Sequence, residues 1–339
     1  MTTVSRRYRE IVNGFDRVRV AVAGDLIADE FIYGRIERVS REAPVLILGY
    51  DSAEVLPGGA GNAARNAASL GASVQLVGLV GRDPAGRGLY RTLEATADVA
   101  GVVQATGVTT PVKTRILAGG VHSAKQQVVR IDRTGGGTTK AARRRVETAL
   151  VAAMARADAL VMSDYGSGLI TPEAWQRARA AAKGAVPGVV LVDSRYDLGR
   201  FTGITACTPN ESEVEAMLGV RIDDNRRLLE EAGREMLRRL ECRAVLITRG
   251  SRGMALFESG KPTDHIPIVG SDQVTDVTGA GDTVIATFGV ALAAGASFAE
   301  AARLANHAGG IVVMKRGTAV VTRRELAAAL SGARTGAKD

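Results

Sequence analysis

The segment Asp276-Val-Thr-Gly-Ala-Gly-Asp-Thr283 holds the residues best suited to phosphate chemistry. Gly279, Ala280 and Gly281 are small enough for their backbone N–H groups to approach an anion closely. The apolar run over residues 284–294 predicts a helix ending at Gly295, which sets these small residues at a helix N-terminus. Unpaired N–H groups and the helix dipole favour negative charge there. Asp282, in the same turn, is placed to take a proton; an N-cap after a glycine turn is the structural alternative.

Two further sets carry chemistry. Asn210 and Glu213 form an N-x-x-E pattern after Pro209, at a predicted strand-to-helix junction. The pattern reads either as a capping box or as a holder of hydrated Mg²⁺, which keeps much of its water and needs only one or two protein oxygens. Asp25 ends the predicted first strand (residues 18–23) and Asp29 follows shortly after. Carboxylates at the end of a parallel strand either bind ligands or cap turns. Gly58 and Gly59 open an alanine-rich helix that stops near Gly71, with Asn62 and Asn66 one turn apart on the same face.

The elements that must position these residues alternate between strand and helix. Predicted helices at 140–156, 172–183 and 225–240 are interleaved with strands at 159–163, 189–193 and 244–248. This order predicts an α/β domain with a mainly parallel sheet, helices on both faces and a site at the strand ends. Two interruptions break it. Residues 30–38 with 44–50, and 112–117 with 126–131, alternate apolar and polar residues. They predict a small inserted β-sheet standing apart from the main one, as a lid and a contact between two copies. The expected organisation is one domain over residues 1–331, lid strands within 30–50 and 111–132, and a mobile tail at 332–339.

Composition removes several function classes. Hydrophobic residues make up 46% and charged residues 24% of the 339, as in ordinary soluble proteins. The net charge of +8 is dispersed and aromatics are only 4%, so nucleic-acid binding is not expected, whereas anionic small substrates fit. Cys207, Cys242, His122, His265 and His307 lack metal-ligand spacing. Neither a signal core nor an apolar stretch of membrane-spanning length occurs, so a cytoplasmic protein without membrane partners is expected. Neither a G-x-x-x-x-G-K-[ST] loop nor a G-x-G-x-x-G after the first strand is present.

Gly58-Gly59 with Asn62, Asn210-x-x-Glu213 and Asp276-x-Thr-Gly-Ala-Gly-Asp282 occur in the order found in ribokinase-like (PfkB) sugar kinases. The resemblance extends over residues 17–330. Within that family the chain resembles the bacterial D-glycero-β-D-manno-heptose-7-phosphate 1-kinases. The matching stretches include Gly24-Asp25 with Asp29, Tyr33-Gly34, Glu42-Ala43-Pro44-Val45, Lys113-x-Arg115, Gln126-Gln127 through Arg130-x-Asp132, and Ser163-Asp164-Tyr165. Many members of that group carry a fused nucleotidyltransferase with an H-x-G-H motif. The motif is absent here, so the chain resembles a stand-alone kinase.

The resemblance implies a three-layer α/β/α domain with a β lid, and phosphoryl transfer from ATP to the C1 hydroxyl of the heptose 7-phosphate. Asp282 would be the general base, with an ordinary pKa near 4, and the Gly279, Ala280 and Gly281 N–H groups would hold the transferring phosphoryl. Asp25, Asp29, Gly58, Gly59 and Asn62 would bind the sugar, and Lys113, Arg115 and Arg130 its phosphate. Arg195, Asn210, Thr248, Gly250, Gly253 and Asn306 would serve the nucleotide. Asn210 and Glu213 would hold Mg²⁺ through water; activation by a monovalent cation is left open, and a homodimer through the lid is expected. Two departures stand out. Ser167 and Arg195 occupy positions where these kinases read lysine, and of the two only Arg195 keeps the charge. A kinase for another hexose or pentose phosphate, or a weakly catalytic sugar-phosphate-binding regulator, are the rival readings.

Overall fold

The structure is a computed structural model that describes residues 3–120, 125–269 and 275–332; His122 and residues 333–339 of the expected tail lie outside the described residues. The strands among them are β1 (Arg19–Val39), β2 (Leu46–Gly59), β3 (Ser73–Gly81), β4 (Asp98–Ala105), β5 (Val112–Gly119), β6 (Gln126–Arg133), β7 (Ala159–Asp164), β8 (Val189–Ser194), β9 (Ala206–Cys207), β10 (Ala244–Thr248), β11 (Met254–Glu258) and β12 (Asp264–Ile266). The helices are α1 (Thr3–Asn13), α2 (Ala60–Ser69), α3 (Pro84–Glu94), α4 (Lys140–Met154), α5 (Pro172–Ala181), α6 (Glu211–Leu218), α7 (Arg226–Leu240), α8 (Ala280–Ala293), α9 (Phe298–Val312) and α10 (Arg323–Gly332).

The main sheet runs β12-β11-β10-β9-β8-β7-β1-β3-β4, parallel from β4 to β10 and closed by antiparallel β11 and β12. Its strands are apolar on both faces because helices cover both. In β1, Val20 and Val22 enter one core, with Leu70 of the segment after α2, Phe288 of α8 and Leu304 of α9. Ala21 and Ala23 enter the other, with Val146 of α4, Trp175 of α5 and Met236 of α7. The chain leaves β1 towards β3 on one side and returns to β7 on the other. Such a switch point opens a crevice at the strand ends, and β1 and β7 flank it.

The expected separation of lid from core does not hold. β1 does not end at Gly24-Asp25; it continues unbroken to Val39, exchanging β3 and β7 for β2 and β5 as partners. Gly24 marks a close approach and no turn: a Cβ there would lie 2.0 Å from the Ser163 carbonyl oxygen of β7. Lid and core therefore share one strand. The lid order is β2-β1-β5-β6, and its first insertion extends to Gly59, past the expected residue 50. The register aligns Asp29, Lys113 and Asp132 across three strands, and Phe31, Arg115 and Arg130 in the next row of the same face.

α8 is apolar nearly all round, so it is buried, from Asp282 through Ala291. Alanine-rich α2 packs beside it, with Ala60, Ala63, Ala64 and Ala67 fully buried. Small side chains let the two helices approach, which brings Asn62 to the first turn of α8.

Candidate active site

Asp282 is 2% exposed and held by two donors. Asn62 Nδ2 donates to Asp282 Oδ2 at 3.0 Å, and the Tyr165 hydroxyl donates to Oδ1 at 3.0 Å. Burial pushes the Asp282 pKa up to about 6 and the nearby Asp29 adds to this, while the two hydrogen bonds and Arg195 oppose it. The ordinary value near 4 is thus corrected, since a carboxylate at the head of a buried helix is desolvated. Gly279 caps α8 at φ +76°, and a Cβ there would lie 2.4 Å from Asn62 Nδ2. Only glycine allows both that conformation and that approach.

Two concavities lie close to this turn, one at its own backbone and one at Tyr165, the hydrogen-bond partner of Asp282. The first is an apolar slot of about 180 Å³ lined by Thr248, Gly250, Gly253, Asn306, Met254, Ile268, Val277, Val284 and the first residues of α8, Ala280 and Gly281. Four of the expected nucleotide residues therefore come together, with Asn306 Nδ2 donating to the Pro267 carbonyl at 2.7 Å. The second is a polar cleft of about 370 Å³ under the lid, lined by Asp25, Lys113, Arg130, Asp132, Arg133, Tyr165, Ser167 and Arg195 among others. Arg195, expected at the nucleotide, lies in this second cleft instead, because its guanidinium stacks 4.4 Å over the Tyr165 ring. Lys113 covers the same ring at 4.7 Å.

Other expected residues are already engaged. Arg115 does not line the cleft: its guanidinium donates to Asp29 Oδ1 at 2.6 Å in a buried ion pair. Gly58 makes room for that pair, since a Cβ there would meet Asp29 Oδ2 at 2.2 Å. Gly59, at φ +57°, packs on the Asp25 carbonyl. The Asp25 carboxylate accepts from the Tyr165 N–H at 2.8 Å, the Ser167 N–H at 3.2 Å and the Ser167 hydroxyl. Burial raises its pKa against these donors. Ser167 thus gives Asp25 a neutral partner where a lysine is the expected residue.

Asn210 and Glu213 form the capping box of α6, with both reciprocal bonds at 2.9 Å. The Glu213 charge still faces Asp193, at the end of β8, whose pKa is pushed well up by burial, then by Glu213 and Asp282. Among the described residues no three Asp, Glu, His or Cys side chains are close enough to hold a metal directly. Hard carboxylate oxygens crowded in this way fit a hydrated Mg²⁺ held at one remove. The sequence alone assigns no role to Asp193 or Tyr165. Both stand at or just after the C-terminal end of a predicted parallel strand, which is the signal that could have found them.

The description of a pfkB family carbohydrate kinase fits the chain over residues 26–324. The chain belongs to the PfkB family of carbohydrate kinases. It is 42% identical over 320 residues to the bifunctional protein HldE of Caulobacter vibrioides, covering 93% of this chain and 64% of that protein. To the bifunctional protein HldE of Geobacter sulfurreducens it is 39% identical over 318 residues, covering 92% and 63%. This PfkB chain therefore spans just under two thirds of the length of these relatives. Its fold is ribokinase-like. The ribokinase of Arabidopsis thaliana, solved with ribose and ATP, superposes with a TM-score of 0.73 at 22% identity, over 92% of this chain and 98% of that one. Phosphofructokinase-2 of Escherichia coli, solved with fructose-6-phosphate, gives 0.76 at 20% identity, over 93% and 98%. Among the described residues of this PfkB kinase, no helix is long and apolar enough to cross a membrane.

Proposed function

We propose that this PfkB kinase transfers the γ-phosphoryl group of ATP to the C1 hydroxyl of D-glycero-β-D-manno-heptose 7-phosphate, giving the 1,7-bisphosphate and ADP. One observation carries the reading. Asp282 sits on the turn whose backbone lines the apolar slot, and its carboxylate is held by Tyr165, which lines the basic cleft. A base there lies between a nucleotide and a phosphorylated sugar.

Asp282 takes the proton of the attacking hydroxyl as the new O–P bond forms and the bond to the ADP oxygen breaks. A pKa of about 6 leaves it ionised at neutral pH yet more basic than an exposed carboxylate. The N–H groups of Gly279, Ala280 and Gly281 stabilise charge on the transferring phosphoryl group. Mg²⁺, when bound, neutralises phosphate charge, and Asp193 with Asn210 and Glu213 would hold its water shell. Asp25 orients sugar hydroxyls through the oxygen edges left by the Tyr165–Ser167 turn. Lys113, Arg130 and Arg195 form the phosphate end of the cleft and favour a phosphorylated over a neutral sugar. The heptose itself rests on the sequence motifs and on the identity to the HldE proteins. Val55, Val129 and Ile131, exposed on the opposite face of the lid, support a homodimer through that sheet.

The test is ATP turnover across a panel of heptose 7-phosphate, fructose 6-phosphate, ribose 5-phosphate and ribose. Heptose 7-phosphate is expected to give the highest kcat/KM by at least tenfold. Comparable turnover of ribose would remove the phosphate-end argument, and no turnover of any sugar would remove the kinase.

A further inference from the structure

Asn66 has no place in the reaction as drawn, yet it is fully buried one helical turn behind Asn62. Its side chain makes three contacts. Asn66 Nδ2 donates to the Asn62 carbonyl at 3.1 Å, a bond any buried helical asparagine could make. It also donates to Asn62 Oδ1 at 3.1 Å. Asn66 Oδ1 accepts from the Val321 backbone N–H at 3.2 Å, on the segment that leads into α10.

These bonds have a direction. A primary amide can turn end for end, exchanging its donor and acceptor edges at little steric cost. If Asn62 turned, its oxygen would face Asp282 Oδ2 and the Gly279 carbonyl, which its Nδ2 now meets at 3.0 and 3.2 Å. The donor on Asn62 Oδ1 opposes that turn, and Asn66 can supply it only while its own oxygen is engaged elsewhere. The Val321 N–H engages it, and a backbone N–H cannot be reversed. Orientation therefore passes from Val321 through Asn66 and Asn62 to Asp282.

We propose that Asn66 is a positioning residue, which locks the Asn62 amide so that its N–H groups face the Asp282 carboxylate and the Gly279 carbonyl. The proposal rests on the reading of Asp282 as the base. The groups that act on Asp282 are Asn62 on α2, Asp29 on β1, Tyr165 after β7, and Asp193 and Arg195 at the end of β8. Substituting Asn66 adds or removes no charge among them.

The experiment titrates Asp282 directly in the full chain, by ¹³C NMR of protein labelled at the aspartate carboxyl carbons, with Asp282→Asn identifying the resonance. The wild-type midpoint is expected near 6. In Asn66→Leu, and less fully in Asn66→Ser if the leucine variant fails to fold, the Asn62 donor is lost from part of the population. The protonation constant of Asp282 is then expected to rise about tenfold, or about one pH unit. Asn62→Leu, which removes the donor from every molecule, should give at least that rise, and Asn62→Leu with Asn66→Leu none beyond that of Asn62→Leu alone. The acidic limb of kcat/KM should move by the same amount, with KM for ATP unchanged. An unmoved midpoint in a folded Asn66 variant, or additive shifts in the double variant, would overturn the relay and leave Asn66 a packing residue. The titration needs no turnover, so failure of the kinase assay would count against the proposed reaction and not against the relay.

Discussion

The Tyr165 hydroxyl donates to Asp282 Oδ1 at 3.0 Å, while Lys113 of the lid and Arg195 of the core both lie over the Tyr165 ring, at 4.7 and 4.4 Å. One side chain thus joins the lid, the core sheet and the proposed base. Burial holds the phenol well above its usual pKa, so it stays a donor across the working pH range. The cation–π contacts are worth about 0.5–2 kcal/mol each, enough to bias where the two cations rest without freezing them.

Tyr165→Phe separates these roles. It keeps the ring and removes the donor, so Asp282 loses one of the two bonds that lower its pKa. The acidic limb of the kcat/KM profile is expected to move above pH 6, with KM for the sugar phosphate changed less than threefold. Tyr165→Leu should add a rise in that KM, because Lys113 and Arg195 lose their platform. Identical profiles for both variants would mean that the hydroxyl has no part in setting the base.

Lys113 and Arg115 sit two residues apart on one face of β5, yet the structure gives them opposite tasks. Lys113 lines the cleft, and burial followed by Arg195 lowers its pKa. Lys113→Met should therefore raise KM for a sugar phosphate about 10–100-fold and leave the melting temperature nearly unchanged, consistent with loss of one charge-assisted contact. Arg115→Met instead leaves Asp29 buried without its partner, which costs about 3–5 kcal/mol. Thermal unfolding with a parallel KM measurement distinguishes the two. A stable Arg115→Met with a raised KM would return Arg115 to the phosphate site.

The site was more legible than its wiring. Glycine spacing and strand-end position pointed to Asp282 and Asp25, because those signals are local, whereas the slot residues Thr248, Gly250, Gly253 and Asn306 came from the family resemblance; Asn306 lies in the middle of α9, where no local signal marks it. The Arg115–Asp29 pair depends on the register between β1 and β5, which hydrophobic alternation alone does not set. Gly24 resembled a strand end because a glycine that ends a strand and one that admits a neighbouring backbone leave the same letter. Arg195 was placed at the nucleotide by the family resemblance, and its position over Tyr165 follows from the turn geometry after β7 and β8. The Asp282 pKa could not be read either, since desolvation depends on what α2, α8 and the β1–β7 crevice bring together.

Gly279→Ala tests the close approach at the head of α8. The added methyl meets a positive φ and the Asn62 amide nitrogen at 2.4 Å. Either the turn shifts or Asn62 is displaced, and both disturb the anion-binding N–H groups. Loss of about 10²–10³-fold in kcat is expected, the scale of removing one aligned oxyanion donor. Activity within twofold of wild type would show that the turn does not hold the transferring group.

Asp282→Asn should lower kcat by about 10²–10⁴-fold, the contribution of a positioned base. It should also change stability in a pH-dependent way. The folded pKa is about 6 against an ordinary 3.8, so the folded state binds this proton more tightly than the unfolded chain. The wild type is then favoured by protonation at low pH and loses that stability as pH rises from about 4 to about 6, by about 3 kcal/mol in total. The amide of the Asp282→Asn variant carries no charge at any of these pH values and shows no such loss. The melting temperature of the variant minus that of the wild type should therefore increase between about pH 4 and about pH 6 and level off above about pH 7. Whatever the asparagine costs in hydrogen-bond geometry enters equally at every pH, so the slope of the difference is the informative quantity. A flat difference would mean that Asp282 titrates as an ordinary carboxylate, and the acidic limb of kcat/KM near pH 6 would then need another owner.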